Sequence, residues 1–237
     1  MNLRTILVAL FLAPLTLGAA PMTEPVDYVN PYIGNISHML VPTFPTIQLP
    51  NSLMRIYPTR GEYTHEMLDG LPMIVTNHRE HSAFCLSVTQ GSTLQPIIST
   101  NWDQEKITPY DYRVQIKDNT IDVHLAVCHQ SAIYELSFQD PSKPATVLLY
   151  SERGFMKANQ KTVSSSQRLS HNMNIYFSGE FDIQPEQTGI LKDGNITKSQ
   201  ETEGRDICVA VRFPAGTKKV SFRYGISLIS AEQAQKN

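Results

Sequence analysis

The stretch that decides the fold runs from Asp111 to Phe138 and reads DYRVQIKDNTIDVHLAVCHQSAIYELSF. Tyr112, Val114 and Ile116 alternate with Asp111, Arg113 and Gln115. Lys117-Asp118-Asn119 is a turn signal. Ile121, Val123, Leu125 and Val127 then alternate with Asp122, His124, Ala126 and Cys128, and after His129-Gln130-Ser131 the pattern repeats in Ala132, Tyr134, Leu136 and Phe138. A period of two between turn signals predicts a meander of strands with one buried face. Outward from it, Ala145–Tyr150 is a further apolar strand, and Ile207–Phe213 and Val220–Leu228 alternate on either side of the turn Pro214-Ala215-Gly216-Thr217. Towards the N-terminus the pattern is shorter and more broken, with strands expected at Leu53–Tyr57, Met73–Thr76 and Ala83–Val88. The class is all-β, a large antiparallel β-sandwich with a single core between its two inner faces.

Composition agrees. The chain has 237 residues, 41% hydrophobic and 18% charged, with a net charge of −2. That is a globular composition. Its near-neutral balance excludes the strongly basic surface that nucleic acid needs. Residues 1–20 read as a signal peptide: Arg4 is the positive end, Ile6–Leu17 the apolar core, and Gly18-Ala19-Ala20 the small residues before a cut. The expected location is therefore secreted or periplasmic. No later segment is long and apolar enough for a membrane span. The domain is expected over residues 21–229. Over 230–237, Ser230-Ala231-Glu232-Gln233 has the form of a helix start with a capping box, read as the beginning of a linker helix cut at Asn237. Three cysteines, Cys85, Cys128 and Cys208, leave at least one free thiol.

Candidate functional residues fall in three places. His78-Arg79-Glu80-His81 is the most polar point of the chain; it reads as a loop binding a polar ligand, as an imidazole pair for a metal, or as a solvated turn. Glu62, Glu66, Asp69, Glu80 and Asp103 could supply paired carboxylates, whose separation the sequence does not give. Trp102, the only tryptophan, lies in Asn101-Trp102-Asp103, read as a segment between strands; it is either a stacking platform for a sugar or a packing residue. The proline-rich run Val41–Asn51 is held to an extended path outside any central strand, as a cleft wall or a wrapping segment. No nucleophile elbow, P-loop or dinucleotide fingerprint is present.

Four of these stretches carry a resemblance. Asp27-Tyr28-Val29-Asn30-Pro31-Tyr32-Ile33-Gly34 resembles the opening of glycoside hydrolase family 92. The run from Val41 to Pro58 resembles that family's Thr-Phe-Pro and Pro-Asn-Ser segment, Pro109–Val114 its Pro-Gly-Tyr-Tyr strand, and Gly225–Ala234 the segment leading into its interdomain helix. The resemblance implies an N-terminal β-supersandwich of the galactose-mutarotase type, followed by an (α/α) toroid. It implies a calcium-dependent exo-acting α-mannosidase taking part in glycan degradation, with an inverting mechanism. The general acid, the general base and most of the calcium shell would lie on the toroid, so this chain is expected to carry no catalytic residue and no metal site, and to be inactive alone. Its partners would be a mannose-containing glycan and the toroid, in cis or in trans. At Thr76–Ser82 the sequence departs from the family's Ser-His-Thr-His segment. The resemblance therefore points to His78 and Arg79 as pocket residues, with Arg60, Glu62 and His38 on neighbouring loops. The other reading is a stand-alone secreted carbohydrate-binding β-sandwich, which Trp102 and the export signal would suit.

Overall fold

The computed structural model describes residues 24–35, 43–60, 65–76, 82–118, 120–169 and 173–237. Apart from Leu53–Tyr57, the strands expected from alternation are there. Asp111–Ile116 (β5), Ile121–Val127 (β6) and Ser131–Phe138 (β7) form the meander, and Lys219–Ser227 (β14) pairs with β7. Along β6 the burial alternates without a break, because one face lies on the core and the other on solvent. Met67–Asp69 (β1) and Ser99–Ile107 (β4) extend this side. Thr162–Arg168 (β9) and Asn174–Phe181 (β10) extend the other, with β10 against β14.

Ala145–Asn159 (β8) and Glu201–Phe213 (β13) are a long antiparallel ribbon. The free edge of β8 takes Ser82–Thr89 (β3) along its first half and β9 along its second. Leu71–Val75 (β2) pairs with β3. Gln187–Lys192 (β11) and Asn195–Ile196 (β12) finish the far side beyond β13. Every pairing is antiparallel, and the coiling of β8 and β13 folds the sheet over itself into a sandwich.

The two layers meet on aromatic rings. Phe84 of β3 packs edge-on to Phe177 of β10, with ring centroids 4.8 Å apart. Phe181 meets both Phe213 and Phe222. Tyr134 Oη donates to Pro72 O and Tyr224 Oη to Met73 O, each at 2.8 Å, so the buried phenols are satisfied by β2 backbone across the core.

Two readings change. Leu53–Tyr57 is not a strand; between the turn at Pro50-Asn51 and Pro58 it makes one isolated bridge, Ile47 with Ile56, though both of those side chains are buried in the core. The proline run is therefore a wrapping segment in its described part, anchored where Leu53 N and Met54 N both donate to His129 O. Trp102 lies within β4, not between strands. The helix at the C-terminus is Ala231–Lys236 (α1), capped by Ser230, whose side chain accepts from Gln233 N at 3.1 Å. It lies on β14, where Gly225 lets the backbone at Ala234 approach closely. All three cysteines are free, with Cys85 and Cys208 buried and Cys128 exposed. Among the described residues no helix is long and apolar enough to cross a membrane.

Candidate functional site

The chain leaves the wrapping segment at Thr59 and Arg60, beside β1 and β4. Here a bulge reshapes β4. Trp102 opposes Ile116 and Ile107 opposes Tyr112, which takes one more residue on β4 than on β5. Gln104 absorbs the extra residue with a φ of 52°. In an unbroken strand Trp102 and Glu105, three apart, would face opposite sides. The bulge turns both to the inner face.

Arg60 meets them there. Its Nη2 donates to both oxygens of Glu105 at 2.9 Å, and its guanidinium carbon stands 4.6 Å from the centre of the Trp102 ring. The two charged side chains are 2% and 6% exposed, so the pair is shielded from solvent. Trp102 Nε1 donates to His65 O at 3.1 Å, and Tyr112 Oη donates to Glu105 Oε1 at 3.3 Å. Burial, and secondarily the Glu105 charge, push the Tyr112 hydroxyl well above its ordinary value. Tyr32 senses the same pair. Burial raises its pKa, Glu105 adds to the rise, and Arg60 and the Ile107 backbone oppose it. The turn around Tyr32 thus sits at the edge of the cluster.

Among the described residues, three buried polar atoms in and near this region have no hydrogen-bond partner: Arg60 Nε, Thr59 Oγ1 and Asn35 Oδ1. Buried polar atoms are normally satisfied, by protein, water or ligand. Arg60 Nε is a donor with a positive charge behind it, the type of group that meets a hydroxyl or carbonyl oxygen.

Of the residues singled out from sequence, Arg60 and Trp102 come together. His78, Arg79, His38 and Glu62 lie outside the described residues, as do Glu80 and His81. Asp69 is on β1, and Asp103 is on β4, where its Oδ1 accepts from Gln104 N at 2.7 Å. Glu105 and Tyr112 were not singled out; the signal was a carboxylate three residues after a tryptophan, hidden by the bulge. Among the described residues no three His, Cys, Asp or Glu side chains come together, and Glu105 gives both oxygens to Arg60. The described residues therefore do not fit a calcium cage.

Comparison with known proteins places the chain. The family model for the glycosyl hydrolase family 92 N-terminal domain matches residues 28–227. An inverting family GH92 mannosidase from Bacteroides thetaiotaomicron superposes with a TM-score of 0.78 at 23% identity, over 90% of this chain and 32% of that one. A GH92 α-mannosidase from the same organism superposes with a TM-score of 0.73 at 18% identity, over 90% of this chain and 34% of the other. The chain spans about a third of the length of these structures. No curated protein matches it. The chain belongs to glycosyl hydrolase family 92, and residues 28–227 are its N-terminal domain.

Proposed function

We propose that this chain is the β-sandwich domain of an exported α-mannoside hydrolase. In this reading it shapes one edge of the sugar pocket and docks an (α/α) toroid that carries the catalytic acid, the catalytic base and the calcium. The observation that carries it is the Arg60–Glu105–Trp102 cluster, a rigid buried assembly in a GH92 N-terminal domain that leaves Arg60 Nε unpartnered. Rigid support beneath a site is what holds recognition groups to the tolerance that sugar binding needs. Glu62, two residues after Arg60 in sequence, and His78 and Arg79, which follow β2, would supply direct contacts to the glycan. Docking is supported by apolar side chains in solvent at two places, Tyr28, Val29 and Ile33 in the family's opening motif, and Leu228 and Ile229 just before α1.

The test is the native exported protein, detected with an antibody against this domain. A species about three times the mass of this chain, with calcium-dependent α-mannosidase activity that Arg60→Ala lowers, is the expected result. A native species of the domain's own size, without such activity, would end the hydrolase reading and leave sugar binding by a lone sandwich.

A further inference from the structure

A second cluster lies on β8, β9 and β13, on strands that the Arg60 site does not use. Arg153 of β8 directly opposes Arg205 of β13. Gly154 pairs with Gln167, so Arg168 at the end of β9 continues the row on the other side of Arg153. Asn174 of β10 opposes Arg168. Side chains two apart on a strand share a face. The next row on this face is therefore Ser166, Phe155 and Glu203, and Phe155 is 36% exposed. These residues line a concavity of about 470 Å³, within the range of small-molecule sites, roughly 300–1,000 Å³.

Like charges directly opposed on neighbouring strands repel. Among the described residues neither Arg153 nor Arg205 is in an ion pair. Among the described residues that line the concavity, Glu203 is the one carboxylate beside Arg153 and Arg205. The adjoining Lys157 already faces Glu201, at 3.8 Å. An oxyanion between Arg153 and Arg205 would remove the repulsion. The planar guanidinium fork matches a carboxylate or sulfate with two parallel hydrogen bonds. The open face of Phe155 beside the row suits the apolar face of a pyranose ring. Asn174 and Ser166 bring amide and hydroxyl groups that fit sugar hydroxyls.

We propose that this row is a carbohydrate site that takes an acidic sugar, with its oxyanion between Arg153 and Arg205 and its ring on Phe155. It stands on its own geometry and does not depend on the mannosidase reading. The test is calorimetric titration of the purified protein with trigalacturonate, alongside mannotriose and hexaglutamate, at low ionic strength. Trigalacturonate is expected to bind, and mannotriose not to bind at this site. Arg153→Gln, Arg205→Gln and Phe155→Ala should each weaken trigalacturonate about tenfold; neither arginine variant should melt lower than the parent, because losing one arginine relieves the cross-strand repulsion. Lys157→Gln removes the same charge outside the row and should leave affinity unchanged. Absence of trigalacturonate binding at millimolar concentration, or equal affinity in the three variants, would overturn the proposal. So would hexaglutamate binding as tightly as trigalacturonate, which would make the row a surface for acidic polypeptide.

Discussion

At the scale of single residues, the Arg60–Glu105 pair is the feature most exposed to test. Burying two charges is costly, and removing one of them leaves the other uncompensated, at a cost of about 3–5 kcal/mol. Glu105→Ala should lose about that much stability in urea unfolding, and the double change Arg60→Met with Glu105→Leu should recover most of it. A Glu105→Ala protein within about 1 kcal/mol of the parent would mean that the pair is solvated in solution. The thiols give a second residue-level prediction. Burial pushes the Cys85 thiol up to about 12 and the Cys208 thiol higher still, while Cys128 is exposed. A thiolate-selective reagent at pH 8 should titrate one thiol in the folded protein and three in denaturant. Arg60 was named through the family resemblance and Trp102 as the one tryptophan, read between strands; that the two meet was not legible. Nor was Glu105, because a strand read by strict alternation puts it on the wrong face, and nothing local announces that Gln104 will bulge.

At the scale of elements, the meander from β5 to β7 was legible because each of those strands has one wet face and one dry face. β8 was legible only as far as Tyr150. Up to Ser151 its odd-numbered residues are buried, whereas from Met156 onwards the even-numbered ones are. The change falls where its neighbour passes from β3 to β9, so the side that meets the core is exchanged in mid-strand. β9 escaped notice because its inward positions are Val163, Ser165 and Gln167, two of them polar. Ser165 is satisfied by Phe155 O, and Gln167 by Ser151 and the Phe84 backbone. The contact of α1 with β14 yields a prediction of its own. A Cβ on Gly225 would stand 2.0 Å from Ala234 O. Gly225→Ala should lift α1 from the sheet, with amide exchange over residues 231–236 rising towards that of an open chain while exchange in β5–β7 stays slow. Unchanged protection at Ala234 would show that the sheet yields instead.

For the whole molecule, the buried weak acids set a limit on the alkaline side. Tyr112, Tyr134 and Tyr224 are raised well above 10.0 by burial, and Cys85 is raised from 9.0 for the same reason. Each has a folded pKa above its unfolded one. Its contribution to stability is complete below the unfolded value and is lost as pH rises towards the folded one. Melting temperatures should be level up to about pH 8 and fall progressively from about pH 9; a flat profile to pH 11 would mean that the phenols reach water without unfolding. The hydrogen bond from Tyr224 to Met73 spans 151 residues. It joins β14 to β2, so the first layer waits for the last strand. A nascent chain must hold β2 and β3 in an unfinished state through most of its synthesis, with the edge of β3 open until β8 arrives.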